Sequence, residues 1–496
     1  MKIIKISCNI LLMAFFILSC SKKTGGGTTP PPPPPPPPPP AVILPKVNIT
    51  VDKAVKYQTI DGFGFFGAAD VWWAGAGGLW NDAWGEKVIS DLGITIWRNE
   101  MYPPSTPGVM QDADWNKQKP VVEGLKAKAD KYNINLKFIA TVWSPPADLK
   151  WLATMTWAGD AAATRGPGAV STKNGGTLNP NKYPEYAAWL NENILLYKNS
   201  GINLYALSLQ NELMFSQSFN SCIYTSAWYN EMVNGVVPKV KTAYPNVKIF
   251  GAEHMLDMEG KDINWPYFYH AGIKKDATTT SNIDILAVHG YSDGVAASSG
   301  SELAKMWTNH SAQFTTPMNK PAWMTETSGY NDTWEASAGK PGALSLAMDM
   351  HSGLFFGNMS AWVWWQGSGG ATGNISEYEL MKGTITGKKY AASKQFYRYI
   401  RPGAVRVKTA ADNAEVFVTA YENTAKGTHT IVIINSGEAR SINIQGSGLP
   451  TAYKMYRTTA ASDNCVLIGD VTLSAAGYFD MPAKSIITLQ AGGDAL

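Results

Sequence analysis

The chain is 496 residues long with 42 basic and 39 acidic side chains, a net charge of +3, which gives no electrostatic case for nucleic acid or an anionic surface as partner. That length exceeds one small core and suits one large domain, of the size barrels reach (~250 residues or more), beside a smaller one. Four cysteines supply neither a disulfide framework nor a zinc spacing; Cys222 and Cys465 lie far apart, so a bridge between them is left open, and no metal or cofactor is expected. The outlier is aromatic content: 18 Trp and 22 Tyr exceed what a core needs, and flat apolar rings with one polar atom suit ligands that have both apolar faces and hydroxyls, as sugars do.

In chain order, Lys2 and Lys5 precede the apolar run Ile10 to Leu18, which is too short to span a bilayer and reads as an export signal. Its close on Leu18-Ser19-Cys20 resembles a bacterial lipoprotein signal, which implies cleavage before Cys20 and lipid on its thiol. The expected location is a bacterial outer membrane, on its periplasmic or surface face; the competing reading is a protein cleaved and released. Ser21 to Thr29 is polar and glycine-rich, and Pro30 to Pro40 is an unbroken proline run. Such a run forms polyproline II at ~3.1 Å per residue and would hold the folded part roughly 30 Å or more from its anchor.

From Val47 the sequence becomes globular. Short apolar runs recur at Asp61 to Phe66, Ile94 to Glu100, Leu136 to Trp143, Leu204 to Glu212, Val247 to His254, Ile283 to Tyr291, Pro321 to Glu326 and Ser360 to Gln366. Between them lie stretches with helical spacing, such as Lys117 to Tyr132 and Tyr183 to Asn199. Eight strands alternating with helices predict a closed parallel barrel, whose functional groups sit at the C-terminal strand ends. Those ends carry Arg98, Glu100, Trp143, Asn211, Glu212, Glu253, His254, His289, Tyr291, Glu326, Trp365 and Gln366, whereas the starts are mostly apolar. After a last helix over Lys389 to Ile400, alternating strands at Glu415 to Tyr421, His429 to Ile434, Ser441 to Ile444, Tyr453 to Arg457 and Ser485 to Leu489 predict a small all-β domain. The strand at Val47 to Val51 is expected to pair into it.

Leu204 to Glu212 carries the strongest functional signal. With period 2, Tyr205, Leu207 and Leu209 form an apolar row, and Ala206, Ser208, Gln210 and Glu212 form one that grows polar toward its end. Burying that row unpaired would cost a few kcal/mol per group, so its last members are expected to open onto a cleft. Lys320 to Glu326 is a second apolar run that ends on a carboxylate. Two facing carboxylates can hydrolyse a glycosidic bond: one protonates the leaving oxygen, and the other faces the anomeric carbon. A separation of about 5 to 5.5 Å gives retention of configuration, and a wider one admits water and inverts.

Asp61-Gly62-Phe63-Gly64, Ser208-Leu209-Gln210-Asn211-Glu212, Trp323-Met324-Thr325-Glu326 and Gln395 to Arg406 together resemble glycoside hydrolase family 30, over essentially everything from Val47 onward. The resemblance implies an α/β fold, a (β/α)8 TIM barrel with a fused β-sandwich side domain. The domains would be a lipoprotein-type signal at 1–20, a linker at 21–45, a side domain from 46–60 and 401–494, and a catalytic barrel at 61–400. It further implies a retaining double displacement with Glu212 as acid/base, Glu326 as nucleophile, and Asn211 bonding the sugar 2-hydroxyl.

Around this pair, Arg98 is read as keeping Glu326 ionised, His289 and Tyr291 as orienting it, Trp365 as the sugar floor and Trp143 as a wall. These six residues, counting Asn211, form the expected substrate-binding set. Glu100 and Glu253 are read as structural. The family members this chain most resembles are endo-xylanases, several of which grip a glucuronic acid branch with Arg in the loop after strand eight; here Gln366 to Thr384 offers Lys382 but no Arg. Trp151 and Trp157, in the long Gly-rich stretch Trp151 to Pro180, could stack on further sugars. The expected protein is a monomeric, lipid-anchored retaining endo-β-glycanase acting on a polysaccharide, xylan first, with β-1,6-glucan and β-1,6-galactan as alternatives. A non-catalytic glycan-binding lipoprotein is the rival from another class.

Overall fold

A computed structural model describes residues 43–67, 80–104, 106, 114–157, 159–171, 174–259, 268–291, 300–369, 373–493 and 496. The signal, Cys20 and all of the linker up to residue 42 lie outside the described residues.

Eight strands close into a parallel barrel. In chain order they are β1 (Gly62–Phe66), β2 (Ile96–Met101), β3 (Lys137–Val142), β4 (Ala206–Ser208), β5 (Lys248–Met255), β6 (Ile285–His289), β7 (Ala322–Glu326) and β8 (Ala361–Trp364). Each falls within or overlaps one of the eight apolar runs. Helices lie between successive strands, among them Asp114–Lys131, Tyr183–Asn199 and Ser226–Ala243. On Tyr183–Asn199 the stripe Ala187, Leu190, Ile194 and Tyr197 is buried, as its period of 3.6 requires.

Two apolar layers separate by strand parity. Ile96, Ile139, Ala206, Phe250, Ile285, Ala287, Trp323, Ala361 and Val363 fill the barrel interior. Leu207, Leu209, Leu286, Val288 and Trp362 point outward into the larger core beneath the helices. The inward rows therefore run from apolar to functional: Ile96, Arg98, Glu100 on β2; Ile285, Ala287, His289 on β6; Ala361, Val363 and then Trp365 from β8. Each step of two residues climbs about 6.6 Å toward the mouth.

The side domain is a nine-stranded sheet, antiparallel except where Lys46–Thr59 runs parallel to Arg440–Gln445. Lys46–Thr59 also pairs antiparallel with Val405–Ala411, in register Ile49 to Ala411, so the early strand joins the C-terminal domain as expected. One continuous sheet encloses the core of the expected side domain: Ile49 and Ile442 from one end share an apolar core with Tyr453 and Met455 from the other. The 14-residue strand Lys46–Thr59 makes this continuity possible because it has partners on both edges. Asn464–Thr472 and Phe479–Met481 belong to the sheet beyond the expected strands. The first is a largely exposed edge strand without alternation, and the second has only three residues.

The helix Lys388–Tyr397 and the residues after it join the two parts. Thr488 Oγ1 donates to Gln395 O at 2.9 Å, Gln395 Nε2 donates to Thr458 Oγ1 at 2.8 Å, and Thr430 Oγ1 donates to Tyr399 O at 2.8 Å. On the barrel side Tyr397 donates to Gly64 O at 3.1 Å, and Arg401 donates to Gly93 O. Cys222 and Cys465 are both buried and free, which excludes a bridge between them here.

Gly64 marks the closest strand approach in the barrel, since a Cβ there would sit 1.8 Å from Ile96 O. Gly64→Ala is expected to destabilise the protein by about 3 kcal/mol or more through overpacking. Urea unfolding would show it as a lower midpoint with an unchanged slope; an unchanged midpoint would contradict the packing described.

Candidate active site

Asn211 and Glu212 lie beyond the end of β4, which stops at Ser208. The inward polar row is closed internally: Ser208 Oγ donates to Gln210 O at 3.3 Å, and Gln210 Nε2 donates to Trp143 O at 2.7 Å. The chain then turns, with Glu212 at φ 43°. This left-handed backbone costs a non-glycine residue roughly 1–2 kcal/mol and is held by the Glu212 N–H donating to Glu253 O at 3.1 Å. Glu212 therefore reaches the mouth through a turn and not through strand alternation, which corrects the extended strand read from the sequence. Glu326 closes β7 just past an irregularity in its pairing with β6.

The two carboxylates converge. One oxygen each of Glu212 and Glu326 and one ring nitrogen of His289 all lie within 4.8 Å of one another. Glu326 Oε2 accepts from Arg98 Nη1 at 2.6 Å, and its Oε1 accepts from the Tyr291 hydroxyl at 2.9 Å. Glu212 Oε1 lies 3.0 Å from His289 Nδ1. His289 was expected to orient Glu326, but its Nε2 is 3.9 Å from Glu326 Oε2. Its hydrogen bond goes to the other carboxylate.

Arg98 is completely buried. Its Nη2 donates to Glu253 Oε1 and to Asn211 Oδ1, both at 3.0 Å, and its Nε donates to Thr141 Oγ1 at 3.1 Å. The rings of Trp143 and Phe66 lie 4.9 and 5.6 Å from the guanidinium carbon. A guanidinium has no acceptor, so Asn211 must meet it with oxygen, and its NH2 becomes the group that can donate to a ligand. Since Arg98 and His289 are fully buried, they act on the carboxylates from below, not on a sugar directly as the expected set had it.

Burial opposes every charge here, and the partners overcome it in three cases. His289 would be pushed down by burial, but Glu326, Glu212 and Glu253 raise it to about 9. Glu253 would be pushed up, but Arg98 and His289 hold it near 2. Arg98 ends above its ordinary value despite burial because of Glu253 and Glu326. For Glu326 burial remains the largest influence and, with Glu212 adjacent, raises it, while His289 and Arg98 pull the other way. Arg98 and Tyr291 both donate to Glu326, so that its two oxygens are met as acceptors. Glu212, His289 and Glu326 also have the spacing of a cation site. A cation there would sit beside the charged Arg98 and compete with it for Glu326 Oε2, so the donor set does not favour one.

Above the pair lies a cavity of about 640 Å³, lined by Glu100, Trp143, Asn211, Phe219, Asn220 and Trp365 among others. Trp365 is half-buried and stacks on Phe66 with ring centroids 4.3 Å apart, and Trp143 is buried against both rings. Phe66, Phe219 and Asn220 were missed in the sequence. Glu100, read there as structural, lines the cavity; its inward parity two residues after Arg98 was the available signal. Glu253 is structural in the sense that it anchors Arg98. Lys382 turns onto Glu379 at 3.2 Å and Asn374 O at 3.1 Å. Trp151 is half-buried in a small three-stranded sheet, and Trp157 is 41% exposed; neither lines this cavity.

The sequence model of the glycosyl hydrolase family 30 TIM-barrel domain matches residues 110–367. The chain belongs to glycoside hydrolase family 30. It is similar to glucuronoxylanase XynC of Bacillus subtilis strain 168, with 26% identity covering 90% of this chain and 92% of that protein. It is also similar to a putative glucosylceramidase of Caenorhabditis elegans, at 23% identity over 89% and 83% of the two chains. Among solved structures, a family 30 endoxylanase from Clostridium papyrosolvens C71 superposes with a TM-score of 0.67 at 22% identity, covering 90% of this chain and all of that one. An endo-β-1,6-glucanase does so with a TM-score of 0.67 at 19% identity, over 91% and 94%.

A charged His289 stabilises the folded state. Its value of about 9 exceeds the unfolded ~6.5, so the contribution is whole below pH 6.5 and is lost as pH rises through 9. Linkage puts the loss at roughly 3 kcal/mol. Unfolding free energy should fall over that interval more steeply in wild type than in His289→Gln. Parallel curves would contradict a cationic His289.

Proposed function

We propose that this family 30 hydrolase is a retaining endo-β-glycanase in which Glu212 is the acid/base and Glu326 the nucleophile. The observation that carries the reading is the approach of the two carboxylates to within 4.8 Å. This matches direct attack and leaves too little room for an intervening water. In the first step Glu326 bonds to the anomeric carbon as Glu212 gives its proton to the leaving oxygen. In the second, Glu212 takes a proton from water, which attacks the same carbon and releases Glu326. The hydrogen bonds suit this cycle: Arg98 and Tyr291 hold the two oxygens of Glu326, and His289 Nδ1 lies 3.0 Å from Glu212 Oε1, where it can orient the acid/base. Asn211 presents its NH2 toward the 2-hydroxyl, and Trp365 offers a face for the ring.

For substrate we propose a β-linked xylan backbone, on the strength of the glucuronoxylanase relative. Demand for an acidic branch is not part of the proposal. The loop 366–384 contains no arginine, and Lys382 is already paired with Glu379. We further propose that the protein is an exported monomer anchored through lipid on Cys20. The basic and apolar segment ending at that cysteine supports this, and no helix among the described residues is long and apolar enough to cross a membrane.

Protein lacking residues 1–45 should cleave linear xylan and release the β-anomer first, as followed by proton NMR; an initial α-anomer would overturn retention. Glu212→Gln should lower kcat on polymer by roughly 10²- to 10⁴-fold. On aryl glycosides whose leaving group needs no proton it should spare the first step, seen as a burst of released phenolate, and slow the second, and Glu326→Ala should lose both activities. Full activity in the presence of chelator is expected. If β-1,6-glucan were cut and xylan were not, the substrate assignment would fail while the mechanism stood.

A further inference from the structure

The mouth end of the inward β2 row holds a carboxyl that the double displacement does not use. Glu100 stands two residues, about 6.6 Å, above Arg98 on the same face of its strand. It lines the same cavity as Glu212 and Glu326 although its side chain is almost wholly covered. The loop after β4 arches over to it, and Asn220 Nδ2 donates to Glu100 Oε1 at 3.2 Å across 120 residues of sequence. Phe219, which is 51% exposed, stands beside Asn220 on the cavity rim. A buried acid facing solvent-accessible space, with a primary amide and an apolar ring next to it, has the composition of a sugar site.

We propose that Glu100, with Asn220, is a specificity-determining subsite that binds hydroxyls of a neutral sugar ring adjoining the one at the cleavage point. This rests on Glu212 and Glu326 being the catalytic pair. The groups facing Glu100 favour an uncharged acid. Burial is the largest influence and raises it to about 8, while hydrogen bonds from Asn220 and Tyr102 and the charge of Arg98 only partly offset this. Asp114, on the neighbouring helix, adds to the rise, and from that helix Gln118 donates to the Glu100 backbone oxygen at 3.1 Å. A neutral carboxyl can both donate to and accept from sugar hydroxyls. Once ionised it only accepts, and a sugar ring laid over it removes its remaining hydration, which weakens binding.

The test uses the folded protein without residues 1–45 and three probes: linear β-1,4-xylohexaose, linear β-1,6-glucohexaose and 4-nitrophenyl β-xyloside. On the hexaose that wild type cuts, KM should climb as pH passes 8, and in Glu100→Gln that climb should vanish. Glu100→Leu should raise KM for the hexaose roughly 3- to 10-fold, the value of one neutral hydrogen bond, and lower the ratio of hexaose to aryl glycoside turnover. A wild-type KM flat to pH 9.5, or a pH limb that persists in Glu100→Gln, would overturn the proposal. So would an equal loss on hexaose and aryl glycoside in Glu100→Leu, which marks a purely structural residue. Wild-type inactivity on all three probes would instead bring down the glycanase reading beneath it.

Discussion

The buried guanidinium of Arg98 is the constraint on which the site depends. It joins Glu326, Glu253, the amide of Asn211 and the hydroxyl of Thr141, drawing on β2, β3, β5, β7 and the turn after β4. Burying such a charge is expensive, and what offsets the cost is that its partners are fixed around it. Lysine, a point charge without the fork, could not satisfy those directions together. Because Arg98 fixes the oxygen of Asn211, it also decides which end of that amide is left for a ligand in the cavity. The same fork thus holds one carboxylate of the pair and sets the polarity of the amide beside it.

The barrel geometry makes this arrangement economical in sequence. Each inward row begins with a packing residue and ends on a chemical one. Ile96 packs the interior two positions below Arg98, and Ala287 does so two positions below His289. The deep layers are mostly apolar, Trp323 Nε1 donating to Asp61 Oδ2 being a polar contact among them, and the groups that line the cavity gather where strand ends and their turns can satisfy them. The left-handed backbone at Glu212 fits this division, since it occurs past the regular part of β4, where Glu253 supplies the acceptor that holds it.

The eight strands, the helices between them and the pairing of the first strand into the C-terminal sheet were legible because they rest on local periodicity. Glu212 and Glu326 were legible because each follows an apolar run, and the Asn-Glu and Thr-Glu motifs fit a family that the chain proves to belong to. What escaped depended on long-range contacts. His289 bonds Glu212 and not Glu326, a choice set by how β6 lies between the turn after β4 and the end of β7. Asn220 and Phe219 sit in a loop without periodicity, and only its arch over β3 brings them to the cleft. Glu100 was visible by parity but was set aside, because a single carboxylate at a strand end is ordinarily solvated. The edge strand Asn464–Thr472 of the side domain was missed for a related reason: it is largely exposed, and a shift in its pairing breaks the alternation.

The central claim is that the carboxylate of Glu326 forms a bond to carbon during turnover. It is tested most directly by incubating the enzyme with a 2-deoxy-2-fluoro β-glycoside carrying a good leaving group, then mapping the labelled peptide by mass spectrometry. The account predicts one equivalent of sugar attached at Glu326, accumulating faster than it is released. Labelling at Glu212 or Glu253, or no covalent species while the fluoroglycoside is slowly hydrolysed, would contradict it.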